Sequence, residues 1–356
     1  MRIGIITLPL RTNYGGILQN WALQHVLLSL GHDPITIDAY ERLSFKGYIK
    51  DICRYFYYHV LLHTKYMRSH WYKGRNTNKR IGVFVEKNII KTMPICDYDE
   101  SIIDKYGIEC VIVGSDQVWR PKYNHRTEDL YLDFLRNRKI KKFVYCASFG
   151  SNEWEYSPEL TQKCASLASS FNAVSVRETS AVALCQEHLG VKAELVLDPT
   201  LLVDGKVYES MCKSIRTKTK PFLAVYCLDT TDAKMRLFKR MAKEFNLNLR
   251  IFRAENNAKL SIPKWISMFR DASMIVTDSY HGTIFSIIFR KRFYSMLNVD
   301  RGNARVQSLL DQLNLTNQII DEDTTLFPDV DYSNVTEKLS LLKRTSLQFL
   351  NENLQE

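Results

Sequence analysis

Short β-branched runs recur along this chain. Each gives way to small and polar residues and then to apolar residues at helical spacing. The first run is Ile3-Gly4-Ile5-Ile6-Thr7; Leu23, Val26, Leu27 and Leu30 then mark one helical face that Gly31 ends, and Pro34-Ile35-Thr36-Ile37-Asp38 reads as the next strand. That is a βαβ unit. Further strands are predicted over 110–113, 143–147, 173–176 and 195–197. A second alternation places strands over 222–227, 247–252, 274–277 and 293–297, with helices over about 231–245, 263–270 and 282–289. Strands that alternate with helices build parallel sheets covered on both faces. The length of 356 residues suits two such units, each able to bury its own core.

The expected fold is α/β and GT-B-like, two Rossmann-like domains facing a central cleft. The first domain is expected over 1–200, with its boundary at Asp198-Pro199-Thr200 and a polar, basic linker over 204–220. The second is expected over 201–330, and a last helix over 331–356 is placed to cross back to the first domain. The opening residues predict no cleaved leader, and no stretch reaches the ~20 apolar residues of a membrane span. Eight scattered cysteines without a Cys-x-x-Cys pair argue for a reducing, cytoplasmic setting and against a zinc site. The net charge of +10 is concentrated between residues 45 and 80, where nine Lys and Arg face Asp51 alone. Aromatic residues interleave with those cations, and Ile49, Ile52, Cys53, Phe56, Tyr57, Val60 and Leu61 recur at helical spacing. Such a segment suits peripheral contact with a membrane interface or an anionic lipid head group; a helix packed on its own domain with a solvated basic face is the other reading. The rest of the chain is near neutral, so no nucleic-acid surface is expected.

Loops that leave the carboxyl ends of strands are where open α/β folds bind ligands. Here they read Asn13-Tyr14-Gly15-Gly16 with Gln19 one turn on, Gly114-Ser115-Asp116-Gln117, Ser148-Phe149-Gly150, Arg177-Glu178, and Asp278-Ser279-Tyr280-His281-Gly282-Thr283. The Gly-x-Gly-x-x-Gly spacing of dinucleotide folds is missing from the first, which disfavours NAD. A histidine on a helix start either caps and packs or moves a proton near neutral pH. An arginine at a strand end either pairs with a local acid such as Glu178 or binds carboxylate or phosphate. Asp116 and Asp278 each read as a helix cap or as a catalytic acid.

Taken in order, Asn13-Tyr14-Gly15-Gly16-x-x-Gln19, Gly114-Ser115-Asp116-Gln117-Val118-Trp119, Ala147-Ser148-Phe149-Gly150, Ser175-Val176-Arg177-Glu178, Asp198-Pro199-Thr200 and Asp278-Ser279-Tyr280-His281-Gly282-Thr283 resemble the polysaccharide pyruvyl transferase family. The resemblance runs from Met1 to about Arg305. It implies a GT-B fold and transfer of pyruvate from phosphoenolpyruvate onto two hydroxyls of a hexose or acetamido-hexose. A cyclic ketal forms in a bacterial surface polysaccharide, on a polyprenyl-diphosphate-linked acceptor at the inner membrane face. Phosphoenolpyruvate is then the co-substrate, with no cofactor and no metal. The resemblance implies His281 and Asp116 as catalytic groups, with Arg177, Ser279, Gly282, Thr283, Arg301 and Arg305 on the donor side. It assigns Asn13, Tyr14, Gly15, Gly16, Gln19, Ser115 and Gln117 to the acceptor side. Some members carry an arginine two residues before the histidine, where this chain has Ser279. A nucleotide-sugar glycosyltransferase and a non-catalytic glycan- or lipid-binding homologue are the alternatives.

Overall fold

The structure, a computed structural model, describes residues 1–40, 49–50, 52–53, 56–57, 60, 79–124, 126–215, 220–252 and 260–355. Six strands form the first sheet: β1 (Arg2–Ile6), β2 (Asp33–Thr36), β3 (Cys110–Val113), β4 (Lys141–Ala147), β5 (Ala173–Val176) and β6 (Glu194–Leu195). All pair in parallel, in the order β2-β1-β3-β4-β5-β6. Five more form the second: β7 (Phe222–Tyr226), β8 (Asn248–Ile251), β9 (Met274–Thr277), β10 (Arg292–Met296) and β11 (Ile319–Ile320). Their order is β11-β10-β9-β7-β8, again all parallel. Counted from its own first strand, each sheet has the same order over its first five strands, with the switch between its first and third strands. A crevice opens at that point because the crossovers on either side run in opposite directions. The architecture is GT-B-like, with the two crevices turned toward one another.

The central strands are apolar throughout because both faces are covered. Cys110–Val113 and Met274–Thr277 are buried at every position. Two expectations about local structure change. The expected strand over 195–197 is a two-residue pairing at Glu194–Leu195. The expected linker over 204–220 contains the helix Gly205–Met211, which Asp204 starts by accepting the Lys206 N–H.

The last helix, Tyr332–Leu354, does cross back. At its start the Tyr332 hydroxyl donates to the Lys291 carbonyl beside the second sheet (2.6 Å). Near its end Ser346 Oγ accepts the Leu197 N–H (2.9 Å), and Phe349 packs against Phe143 and Tyr145 of β4. Among the described residues no helix is long and apolar enough to cross a membrane. Most of the basic window over 45–80 lies outside the described residues; within it Ile49, Phe56, Tyr57 and Val60 are exposed.

Candidate active site

The loops after β1, β3, β7, β9 and β10 meet around one cavity of about 350 Å³. At its centre is the turn after β9. Ser279 is extended and its hydroxyl accepts the Gly282 N–H (3.3 Å), which starts the buried helix Tyr280–Ile288. Asp278, read from sequence as cap or acid, does not cap the helix, although it lines the cavity. Its carboxylate accepts the Leu228 and Asp229 N–H groups (2.6 and 3.2 Å), Lys234 Nζ (3.2 Å) and Asn298 Nδ2 (3.2 Å). The reason is topological, since β7 lies beside β9 and delivers its free amides to the residue leaving β9. Gly282 is required at its position, because a Cβ there would collide with Thr277 Oγ1.

His281 reaches across to the first sheet. A Cβ added at Gly15 would lie far under 3.0 Å from His281 Nδ1, so the imidazole packs where a side chain would otherwise stand. His281 Nε2 lies 3.6 Å from Asp198 Oδ2. That carboxylate also takes Arg177 (2.9 Å) and the Ser115 hydroxyl (3.4 Å), while its other oxygen accepts the N–H and hydroxyl of Thr200 (3.1 and 2.6 Å). Arg177 continues to Asp116 Oδ1 (2.7 Å), and Arg305 stands 3.8 Å from the same oxygen. Asn13 donates to Asp116 Oδ2 (3.3 Å). The Tyr280 ring lies under both guanidinium groups, 4.6 Å from Arg177 and 5.4 Å from Arg305.

This chain of charges is buried, which shapes its protonation. Burial alone would raise Asp116, but the charges of Arg177, His281 and Arg305 outweigh it and hold the carboxyl below its usual range. Asp198 is likewise penalised by burial, then held far below its usual range by His281, Arg177 and the Thr200 hydroxyl. Burial and the neighbouring Arg177 charge lower Arg305 to about 10, so it stays a cation at neutral pH. Asp116 is therefore an anion at neutral pH.

The predicted residues divide by position. Asn13, Gly16, Asp116, Gln117, Ser279, His281, Arg301 and Arg305 line the cavity. Behind it lie Gly15, Ser115 and Arg177, in the buried network above, and Thr283, which shares a hydrogen bond with Ser295 (2.7 Å). Gln19 braces the first loop against the third strand's loop, donating to the Gly16 carbonyl (2.8 Å) and accepting the Ser115 N–H (3.2 Å). Tyr14 spans the two sheets' domains, its hydroxyl on the Leu260 carbonyl (2.8 Å) and its ring stacked on Trp265. The Arg177 partners are Asp116 and Asp198; Glu178 Oε2 is farther, at 4.0 Å. Arg301 grips Asp229 with two nitrogens (3.0 and 3.1 Å).

Two residues escaped the sequence reading. Arg11 lines the cavity from the loop after β1, and its place just past a strand end was the available signal. Asp198 was read as a boundary; only the fold brings it to His281. The loop carrying Arg301 is held from the first domain as well, with Lys122 Nζ donating to the Asp300 carbonyl (3.2 Å). Gly302 (φ +91°) passes so near the Gly150 carbonyl that a Cβ would collide with it.

Two α/β units with facing crevices, a histidine on one rim and arginines on both, define a GT-B-like protein with an interdomain site. Within that class, residues 13–301 match the model of the polysaccharide pyruvyl transferase family, and the chain belongs to that family. Its activity class is accordingly pyruvyl transfer in polysaccharide biosynthesis. No curated protein sequence matches the chain. Similar solved structures include the UDP-GlcNAc 2-epimerase from Neisseria meningitidis bound to UDP-GlcNAc, at TM-score 0.49 and 10% identity over 99% of each chain. The Streptomyces sp. SF2575 glycosyltransferase SsfS6 aligns at 0.46 and 10% identity over 100% of each chain. The Methanocaldococcus jannaschii UDP-GlcNAc 2-epimerase aligns at 0.44 and 11% identity, over 97% of this chain and 100% of that one.

Proposed function

We propose that this pyruvyl transferase takes its pyruvate unit from phosphoenolpyruvate and closes a cyclic ketal on two hydroxyls of a hexose or acetamido-hexose. The acceptor in this reading is a polyprenyl-diphosphate-linked sugar at the inner face of the membrane. The observation that carries it is the convergence of Arg11, Arg301, Arg305 and His281 on one cavity. A carboxylate and a phosphate on one small molecule call for several guanidinium groups rather than an apolar slot. Ser279 accepts the Gly282 N–H with its hydroxyl oxygen and lines the same cavity, so in this reading its O–H joins those arginines on the donor side.

In this mechanism the imidazolium of His281 protonates the methylene carbon, and C2 becomes an oxocarbenium centre. The first sugar hydroxyl adds to C2 and returns its proton to His281. The C2–O bond to phosphate then breaks, with the imidazolium supplying a proton to the leaving group and becoming neutral. The second hydroxyl closes the ring and gives its proton back to the imidazole. Each step leaves the histidine ready for the next, and Asp198 Oδ2 lies 3.6 Å from its Nε2. Asn13 and Gln117 supply polar groups to the acceptor from the first domain.

The purified protein, given phosphoenolpyruvate and a panel of lipid-linked sugars, is expected to release phosphate and add a pyruvyl mass to one acceptor. His281→Ala should abolish both; an unchanged rate in that variant would remove the histidine from the mechanism. Selective thermal stabilisation by a nucleoside diphosphate instead of phosphoenolpyruvate would favour a glycosyltransferase. A glycan that binds without donor affinity would favour the non-catalytic alternative.

A further inference from the structure

A second cavity, of about 430 Å³, adjoins the first and shares Leu8, Pro9 and Tyr123 with it as a common wall. It opens over the carboxyl ends of β1 and β2, away from His281, and its size falls in the ~300–1,000 Å³ range of ligand pockets. The reaction described above makes no use of it.

Its lining has a definite chemistry. Tyr40, Tyr98 and Tyr123 contribute aromatic surface, and Tyr98 is braced from behind by Phe134 at a 5.2 Å ring separation. Asp97 and Asp129 contribute carboxylates, and Arg126 ties them together at 2.9 and 2.8 Å. Asn124 stands beside them. Among the described lining residues two acids stand beside one cation, a lining less suited to an anion such as phosphoenolpyruvate or a diphosphate than that of the first cavity. Aromatic surface next to fixed hydrogen-bond acceptors suits a ligand with an apolar C–H face and hydroxyl donors at its edge.

We propose that this cavity is a second saccharide subsite, which holds the neutral sugar next to the one that receives the pyruvyl group. The shared wall sets the geometry: a glycan crossing Leu8-Pro9 and Tyr123 places one unit at His281 and its neighbour between the tyrosines. The inference rests on the acceptor reading above, and it adds that the enzyme recognises at least a disaccharide.

The test uses the labelled full-length chain on an array of neutral hexose and acetamido-hexose saccharides. At least one disaccharide or longer oligosaccharide should be retained about tenfold better than its single-sugar counterpart. Tyr98→Ala and, as a milder change, Asp97→Asn should each lose about that factor. Tyr98→Ala should keep the wild-type thermal shift with phosphoenolpyruvate, which reports an intact donor cavity. Equal retention by wild type and both variants, or no gain from one sugar to two, overturns the subsite. Failure of the donor reading looks different: glycan retention persists while phosphoenolpyruvate produces neither a thermal shift nor phosphate.

Discussion

Gly15 has no side chain, and His281 occupies the space that leaves. The two residues lie 266 positions apart in the sequence, so no local pattern reveals the pair. Sequence showed a Gly-Gly turn after one strand and a histidine after another, and both were legible as ligand loops. What was not legible is that one makes room for the other, or that Asp198 stands behind the ring. The contact also predicts an outcome. Gly15→Ala should displace the imidazole by an ångström or so and lower kcat by about 100-fold, with little change in KM for phosphoenolpyruvate. Gly82→Ala is the control, because a Cβ there meets nothing within 4 Å, and it should keep full activity. Steady-state kinetics of the two variants checks this; equal rates would mean that the ring position is not limiting.

At the scale of strands and loops, the alternation of β-branched runs and helical faces was readable because strands buried on both faces must be apolar. Strand order was not, since pairing partners are chosen by non-local packing. The helix start after β9 shows the same limit. Asp278 and Ser279 are both good caps by type, and only the neighbouring β7 amides decide that Ser279 caps while Asp278 is drawn sideways. The buried ladder has a similar origin. Asp116 follows β3, Arg177 follows β5 and Asp198 follows β6, so the ion pairs bind three strand ends together. Removing the cation from such a ladder takes the guanidinium partner from two buried carboxylates, and Arg177→Met should cost about 3–5 kcal/mol. The ladder also predicts a pH dependence. Both folded carboxyls titrate below their ordinary value of 3.8, so their contribution is complete above that value. It is lost as pH falls from 3.8 toward the depressed folded values, because the unfolded chain binds those protons first. Thermal melts across this acid range should show wild-type stability falling more steeply than that of Arg177→Met; parallel curves would mean that the ladder is not what the protons break.

On the scale of the whole molecule, the last helix and the interdomain cleft join the two sheets, while the charge is concentrated in one stretch of the sequence. The excess of nine cations over one acid at residues 45–80 accounts for most of the net +10. The described positions within that window that carry large apolar side chains, Ile49, Phe56, Tyr57 and Val60, are exposed. Cations with exposed apolar groups are the two components of interfacial binding, and each Lys or Arg near an anionic leaflet contributes about 1 kcal/mol. A polyprenyl-linked acceptor would be met at that surface. The protein should therefore float with vesicles containing phosphatidylglycerol and much less with pure phosphatidylcholine. Raising salt from about 0.1 M to about 1 M shortens the screening length from ~10 to ~3 Å and should release it. Replacing Lys65, Arg68, Lys73 and Arg75 with glutamine should weaken flotation while phosphate release on a water-soluble acceptor is retained. Equal flotation with neutral and anionic vesicles, or no effect of salt, would show that these cations do not hold the protein at the membrane.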